Sequence, residues 1–152
     1  MMIERFPESS GSYVLVFRMN NAVDLSVGRS GKFHFPTGVY FYCGSALGRG
    51  GVRGRLRHHL NPISFPHWHI DYLHLHREIL EVIYSIGDEQ MECRWTQFLL
   101  TQPSAFIPAA GFGASDCRKG CPAHLIGFSV SQISKILRNF TLAWNCQRLP
   151  ME

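Results

Sequence analysis

Short runs dense in β-branched and aromatic residues recur along this chain, and they constrain its fold most strongly. Three runs have the composition of buried strands: 11–19 (GSYVLVFRM), 39–44 (VYFYCG) and 79–86 (ILEVIYSI). Asn20-Asn21 is a turn candidate, and we expect 22–29 (AVDLSVGR) to be the hairpin partner of the first strand. A further strand is predicted within 124–130 (HLIGFSV).

Helical patterns alternate with these strands. A helix is predicted over 52–60 (VRGRLRHHL), a second over 89–101, where Met91, Trp95, Phe98 and Leu99 form one apolar stripe, and a third over 131–140. We therefore predict one α/β (α+β) domain with a small mixed sheet flanked by helices. Its core would span about 11–102, followed by a loop-rich C-terminal extension at about 103–152.

Length and composition exclude several classes of protein. A chain of 152 residues with 45% hydrophobic content is too short for a TIM barrel and too apolar to be disordered. No apolar run reaches the length of a membrane span, so we expect no membrane partner. Glu4, Arg5 and Glu8 stand where a signal peptide would be apolar, which predicts a cytoplasmic protein.

The charge is unevenly distributed, although the net charge is only +4. Residues 25–70 contain no Asp or Glu, whereas they carry Arg29, Lys32, Arg49, Arg53, Arg55 and Arg57. Arginine can place two donors on one phosphate. The interval therefore indicates a polyanionic partner, although a solvated basic face explains the charge alone equally well.

This basic interval contains an ordered set of motifs. Gly11-Ser12-Tyr13 begins a predicted strand, Tyr42-Cys43-Gly44 ends a later one, and Arg55 and His59 lie four residues apart on the next helix. The order resembles the GIY-YIG nuclease superfamily over about residues 11–128. Additional matches are similar to an uncharacterised branch that is sometimes fused to DNA glycosylases of the endonuclease III type: Gly44-Ser45-Ala46, 68–73 (WHIDYL), Glu92-Cys93 and 111–117 (GFGASDC).

The resemblance implies a GIY-YIG-like fold and hydrolysis of phosphodiester bonds by Tyr13, Tyr42, Arg55, His59 and Glu92. Either tyrosine would activate or orient the water, with a pKa lowered by nearby arginines and a metal, while Arg55 would stabilise phosphate charge and His59 would assist. Glu92 would hold Mg²⁺ or Mn²⁺, because one carboxylate is enough when water and phosphate complete the coordination. Glu89 competes with Glu92 for this position.

Six residues close to these motifs are expected to bind substrate: Gly44, Ser45, Arg49, Arg53, His69 and Asp71. The glycine-rich turn after Gly44 would offer backbone N–H groups and Arg49 to a nucleic acid backbone. For Asp71 the alternative is that it only caps or orients His69. The turn is longer than in compact family members and could displace Arg55, and Tyr13 and Tyr42 are separated by an insertion.

The five cysteines are odd in number and no secretory signal accompanies them, so a disulfide framework is not expected. Cys117, Cys121 and His124 have the composition of a zinc site, but structural zinc needs four ligands and a fourth is not evident. Asp116 or the distant Cys146 could supply it. Because the spacing of Cys117, Cys121 and His124 supplies only three evident ligands, we do not expect zinc here.

We therefore predict a metal-dependent endonuclease that acts on nucleic acid, DNA rather than RNA, in repair or processing, with a DNA-repair protein as a possible partner. The first alternative is a nucleic-acid-binding module with the same fold and no catalysis, whose binding would be salt-sensitive and free of metal-dependent turnover. The second is a zinc-stabilised structural domain. The sequence gives no indication of oligomeric state.

Overall fold

The computed structural model of the chain describes residues 2–151, and a five-stranded antiparallel sheet forms its centre. The main elements follow in chain order: β1 (Gly11–Met19), β2 (Val23–Ser26), β3 (Lys32–Phe35), β4 (Gly38–Ala46), α1 (Gly51–Leu60), β5 (Glu78–Ile86), α2 (Glu92–Leu100), β6 (Leu125–Phe128), α3 (Ile133–Ala143) and β7 (Gln147–Pro150). Short 3₁₀ helices lie at Met2–Arg5, His69–His76 and Val130–Gln132.

The strand order of the large sheet is β6-β4-β1-β5-β7, with β1 in the middle. Eight of the nine residues of β1 are buried, as a central strand covered on both faces requires. The predicted α+β class is confirmed, but the predicted mixed sheet is wrong, because every pairing in this sheet is antiparallel. Both edge strands, β6 and β7, come from the C-terminal extension, which therefore completes the sheet.

The hairpin predicted between β1 and residues 22–29 is wrong. β2 pairs with β3 in a separate two-stranded sheet, while β1 pairs with β4 and β5. The physical reason is burial: β2 has only four residues, alternately half-buried and exposed, and cannot cover one flank of a strand that is buried on both faces. The long apolar strands β4 and β5 can do so.

Side chains alternate across the sheet and form two cores. On one face Tyr13, Leu15 and Tyr42 pack with Val52 and Leu56 of α1. On the other face, Val14, Val16 and Phe41 pack with α2 and α3. The helices predicted at these three places are confirmed. Among residues 2–151, no helix is long and apolar enough to cross a membrane.

Candidate active site

A cleft of about 490 Å³ opens beside the end of β4 and the start of α2. Its lining includes Tyr42, Gly44 and Ser45 of β4, Arg55 of α1 and Glu92 of α2. The loop between α2 and β6 adds two exposed cations, Arg118 and Lys119, which the sequence analysis did not assign to the site. Three elements and one loop, remote in sequence, therefore contribute to a single cavity.

Tyr13 and His59 lie under the wall of this cleft rather than on it, and they are 0% and 2% exposed. The Tyr13 hydroxyl oxygen lies 2.7 Å from His59 Nε2, within hydrogen-bonding distance. The Tyr42 ring centroid is 6.5 Å from that of Tyr13 and 6.3 Å from that of His59. The structure thus brings both tyrosines and the histidine together, and of the three it is Tyr42 that lines the cleft.

Gly44 separates the Tyr13 hydroxyl from the cleft. The two residues face each other across the β1–β4 ladder. A Cβ atom added to Gly44 would lie 2.5 Å from the Tyr13 hydroxyl oxygen, so no larger residue fits without displacing the phenol ring. The expected role of Gly44 at the site is therefore a close approach between its backbone and a buried hydroxyl group.

Asp71 lies behind His59, at the start of the 3₁₀ helix His69–His76. Its Oδ2 accepts hydrogen bonds from the backbone N–H groups of His67 and Trp68, at 2.8 Å and 2.9 Å, and lies 2.9 Å from His58 Nε2. Its Oδ1 is 3.9 Å from His59 Nδ1. Burial would raise the pKa of Asp71, but those two N–H groups and His58 lower it, which keeps the carboxylate charged.

The pKa values at the site follow from burial. Burial raises the pKa of Tyr13 and of Tyr42 well above the ordinary value, and the positive charge of Arg55 opposes this only in part. The lowered tyrosine pKa that we expected is therefore wrong for the chain itself. Burial, with the charge of Arg77, lowers the pKa of His59 well below its usual range, so this imidazole is neutral at pH 7.

Arg55 reaches the cleft despite the long turn before α1. Its guanidinium carbon lies 4.3 Å from the centre of the Trp68 ring, and both side chains line the cleft. Arg49 is exposed and borders an adjoining depression together with Arg55 and Trp68. The predicted displacement of Arg55 by the long turn therefore does not occur.

Arg53 has a different environment from that expected of a substrate-binding residue. Its guanidinium donates to the carbonyl oxygens of Phe6 and Glu4 and to the carboxylate of Glu8, at 2.7 Å, 3.1 Å and 2.7 Å. These bonds fasten the N-terminal segment to α1. The structure gives Arg53 a structural role, because its donors are engaged by this segment and it does not line the cleft.

His69 and Asp71 support the site without lining the cleft. His69 Nδ1 accepts a hydrogen bond from the backbone N–H of Gly113 at 2.8 Å, and its Nε2 lies 3.3 Å from the Ser30 hydroxyl oxygen. Asp71 does not orient His69, as the sequence alternative had it, but lies against His58 and His59. Ser45, by contrast, lines the cleft and its buried hydroxyl oxygen has no protein partner within residues 2–151.

The structure also separates the two competing carboxylates. Glu92 is the first residue of α2, half-buried, and lines the cleft. Its negative charge contributes to the raised pKa values of both Tyr13 and Tyr42, which places it near the two phenols. Glu89 has a 64% exposed side chain and pairs with Arg94. Glu92 is thus the carboxylate of the cleft.

Four potential metal ligands lie together beside Glu92, namely Cys93, Cys117, Cys121 and His124, with all donor atoms within 4.8 Å of one another. Three thiols and one imidazole form a donor set compatible with zinc. The residue that completes this set of four donors is Cys93 rather than Asp116 or Cys146. Cys93 is on a helix 24 residues before Cys117, so the spacing of the later cysteines does not reveal it. The signal that the sequence offers for Cys93 is its position next to Glu92.

The three thiols of this cluster differ in their pKa values. Burial raises the pKa of Cys93 and of Cys121. Burial also acts to raise the pKa of Cys117, but hydrogen bonds from the backbone N–H groups of Cys121 and Lys119 and contacts with Cys93 and His124 lower it to about 6. Cys117 is therefore a thiolate at neutral pH.

Comparison with known proteins gives one family. The model of the family described as Domain of unknown function DUF123 matches residues 12–145, most of the chain. No curated protein and no solved structure matches the chain. The matched range contains the cleft, the buried Tyr13–His59 pair and all four members of the cysteine–histidine cluster.

Proposed function

The chain belongs to the DUF123 family, a domain family of unknown function, and we propose that it is a metal-dependent endonuclease with a GIY-YIG-like site that cleaves DNA. One observation carries the proposal: Tyr42, Arg55 and Glu92 converge on one cleft, directly above the Tyr13–His59 pair. These five residues are dispersed over 80 positions of sequence, and their convergence is what a shared catalytic role requires.

The cations of the cleft fit a phosphodiester. Arg55 is held against Trp68, which limits its freedom and presents donors to an anionic group. Arg118 and Lys119 of the loop between α2 and β6 add two positive charges to the cleft, against one negative charge from Asp116 of the same loop. Phosphoryl transfer develops negative charge on the phosphate oxygens, and fixed cations stabilise it in the transition state. A polyanionic substrate therefore matches both the binding and the chemistry.

A proton route can be traced from the cleft into the protein. With the imidazole proton on Nδ1, the Tyr13 hydroxyl donates to Nε2 of the neutral His59, and the Nδ1–H group faces the charged Asp71. In the proposal, Tyr42, the phenol that lines the cleft, orients the attacking water and takes up its proton while passing its own to Tyr13, which in turn gives its proton to His59. Asp71 then stabilises the imidazolium. Because the proton moves on to His59, neither phenol has to ionise, and the charge of Asp71 offsets part of the effect of burial and of Arg77 on the pKa of His59.

Glu92 is the residue that would hold a divalent cation. Magnesium is usually bound by one or two carboxylates together with water and phosphate oxygens, and Glu92 is a half-buried carboxylate facing the same cleft. A bound Mg²⁺ or Mn²⁺ would polarise the phosphate and neutralise its charge. Glu92 lies near both phenols, so cation, water and phosphate would share one side of the cleft.

The test is a cleavage assay on purified protein with a panel of single-stranded, branched and damaged DNA and the matching RNA substrates. The proposal predicts endonucleolytic cleavage of DNA with Mg²⁺ or Mn²⁺ and none with EDTA. Salt-sensitive binding of every substrate with no cleavage under any metal condition would contradict it and would favour a binding module on the same fold.

A further inference from the structure

Cys93, Cys117, Cys121 and His124 form a cluster beside the cleft. All but Cys121 line the cleft, but none supplies a group used by the proposed cleavage step. Cys93 is the second residue of α2, directly after Glu92. Cys117 and Cys121 are on the irregular loop between α2 and β6, and His124 immediately precedes β6. The cluster therefore joins residues of a helix, a loop and the start of a strand.

The four donor atoms all lie within 4.8 Å of one another, close enough to share a single four-coordinate ion. With Zn–S bonds of about 2.3 Å, tetrahedral coordination separates two thiolate sulfurs by about 3.8 Å and a sulfur from an imidazole nitrogen by slightly less. Cys93 Sγ lies 3.5 Å from Cys117 Sγ and 3.6 Å from His124 Nε2. An iron–sulfur cluster would spread its four ligands more widely than the 4.8 Å that includes all four donors here, because a 4Fe–4S cluster binds them to four iron atoms and a 2Fe–2S cluster to two.

The backbone around the cluster is fixed from several sides. The N–H of His124 donates to the carbonyl of Phe112 at 2.8 Å, and its carbonyl accepts from the N–H of Cys43 at 3.0 Å. Gly120, between the two loop cysteines, has φ of +77°, a conformation that favours glycine and turns the chain so that both thiols face inward. The loop is thus shaped around the donor atoms.

We infer that Cys93, Cys117, Cys121 and His124 bind one zinc ion, which fastens the loop that carries Arg118 and Lys119 to the start of α2 and so fixes the position of Glu92. The inference of zinc binding depends only on the four donor residues. Its consequence for Glu92 and for nucleic acid rests on the proposed function. Zinc here is structural, because four protein ligands leave no open position for water or substrate.

Two consequences follow for the cleft. Arg118 and Lys119 lie between two of the ligands, so loss of the metal would free both cations from the cleft. Glu92 adjoins a third ligand, so the same loss would release the first turn of α2. Nucleic acid affinity and cleavage would both depend on zinc, although zinc would not touch the substrate.

The experiment measures metal content by mass spectrometry of the full chain, purified under reducing conditions. We expect about one zinc ion per chain, and replacement by Co²⁺ should give the thiolate-to-cobalt charge-transfer band and the visible bands of a tetrahedral ion. Cys121→Ser should lose the metal, whereas Cys146→Ser, a cysteine outside the cluster, should retain it. Thermal denaturation of the wild-type protein with and without a chelator checks the effect on stability without the need for a variant.

Zinc-free wild-type protein that refolds in the presence of zinc and still takes up none would overturn the inference. So would bound iron with the visible absorption of an iron–sulfur cluster, or a Cys93–Cys117 disulfide found in the native protein by mass spectrometry. None of these readouts involves cleavage, so a zinc-loaded protein without nuclease activity would refute the proposed function and leave the zinc site standing.

Discussion

The hydroxyl oxygen of Tyr13 lies 2.7 Å from Nε2 of His59, and both side chains are fully enclosed by protein. A buried tyrosine–histidine pair with a charged Asp71 behind it is a ready route for a proton, because neither partner exchanges protons directly with bulk water. Strand β1 and helix α1 each supply one partner, so the pair depends on how α1 packs on the sheet.

Tyr13→Phe should remove this proton route and leave the fold intact. The phenyl ring fills nearly the same volume, and we expect the cleavage rate to fall by a factor of about 10² to 10⁴, the usual contribution of a positioned proton-transfer group. DNA affinity should stay unchanged. Single-turnover kinetics measures the rate, and fluorescence anisotropy measures binding.

Tyr40→Phe is the matched control for that variant. Tyr40 lies on the same face of the sheet and is equally enclosed, but its hydroxyl donates to the carbonyl of Pro36 at 2.6 Å, outside the cleft. Its loss should cost about 1 kcal/mol of folding free energy and leave cleavage unaffected. Equal cleavage rates for both variants would show that the Tyr13 hydroxyl has only a structural function.

Gly44→Ala should disturb the site through sterics alone. The added methyl group would lie 2.5 Å from the Tyr13 hydroxyl oxygen, and Tyr13 has no free space into which to withdraw. We expect a loss of about 1–3 kcal/mol in the free energy of unfolding, as for other overpacked cores. Gly48→Ala, in open space on the turn that follows β4, should change it little. Urea denaturation compares the two, and equal stability would contradict the close approach.

The stability of the protein should fall as the pH decreases below about 6.5, the ordinary histidine pKa. Burial keeps His59 neutral in the folded state, whereas in the unfolded chain it binds a proton. The unfolded state then binds more protons, so the free energy of unfolding decreases as pH falls towards the lowered pKa. The slope can reach about 1.4 kcal/mol per pH unit for one proton. The lowered pKa of Asp71 adds a second decrease below about pH 4.

Histidine variants identify the source of this dependence. His74 also has a pKa lowered by burial, so it contributes in the same direction. His59→Gln should flatten the curve between pH 7 and 5 more than His74→Gln does, because His59 is almost fully enclosed and His74 is not. Denaturant unfolding across this pH range is the measurement. A dependence unchanged in His59→Gln would contradict the assignment.

The strands of the fold could be predicted where their burial is continuous. The cores of β1, β4 and β5 are dense in apolar residues on both faces, and their positions were predicted closely. The partner of β1 could not be predicted, because pairing depends on contacts between residues 19 or more positions apart rather than on the nearest turn. β7 (Gln147–Pro150) was not predicted, since its exposed edge leaves only Leu149 buried.

For the candidate site too, some features could be predicted from the sequence and others could not. The i,i+4 spacing of Arg55 and His59 places both near the cleft, as helical geometry requires. The environment of each group could not be read from the sequence: burial, not charge, determines the tyrosine pKa values. Likewise, the fourth metal ligand became visible only when α2 packed beside the loop that carries Cys117.

The most direct test of the nuclease account compares Glu92→Gln with Glu89→Gln in the same metal-dependent assay. Both variants remove one negative charge near the start of α2, but Glu92 lines the cleft and Glu89 faces outward against Arg94. The account predicts that Glu92→Gln binds DNA as tightly as the wild-type protein and loses Mg²⁺-dependent cleavage, whereas Glu89→Gln cleaves normally. Full cleavage by Glu92→Gln, or a loss of equal size in both variants, would contradict it.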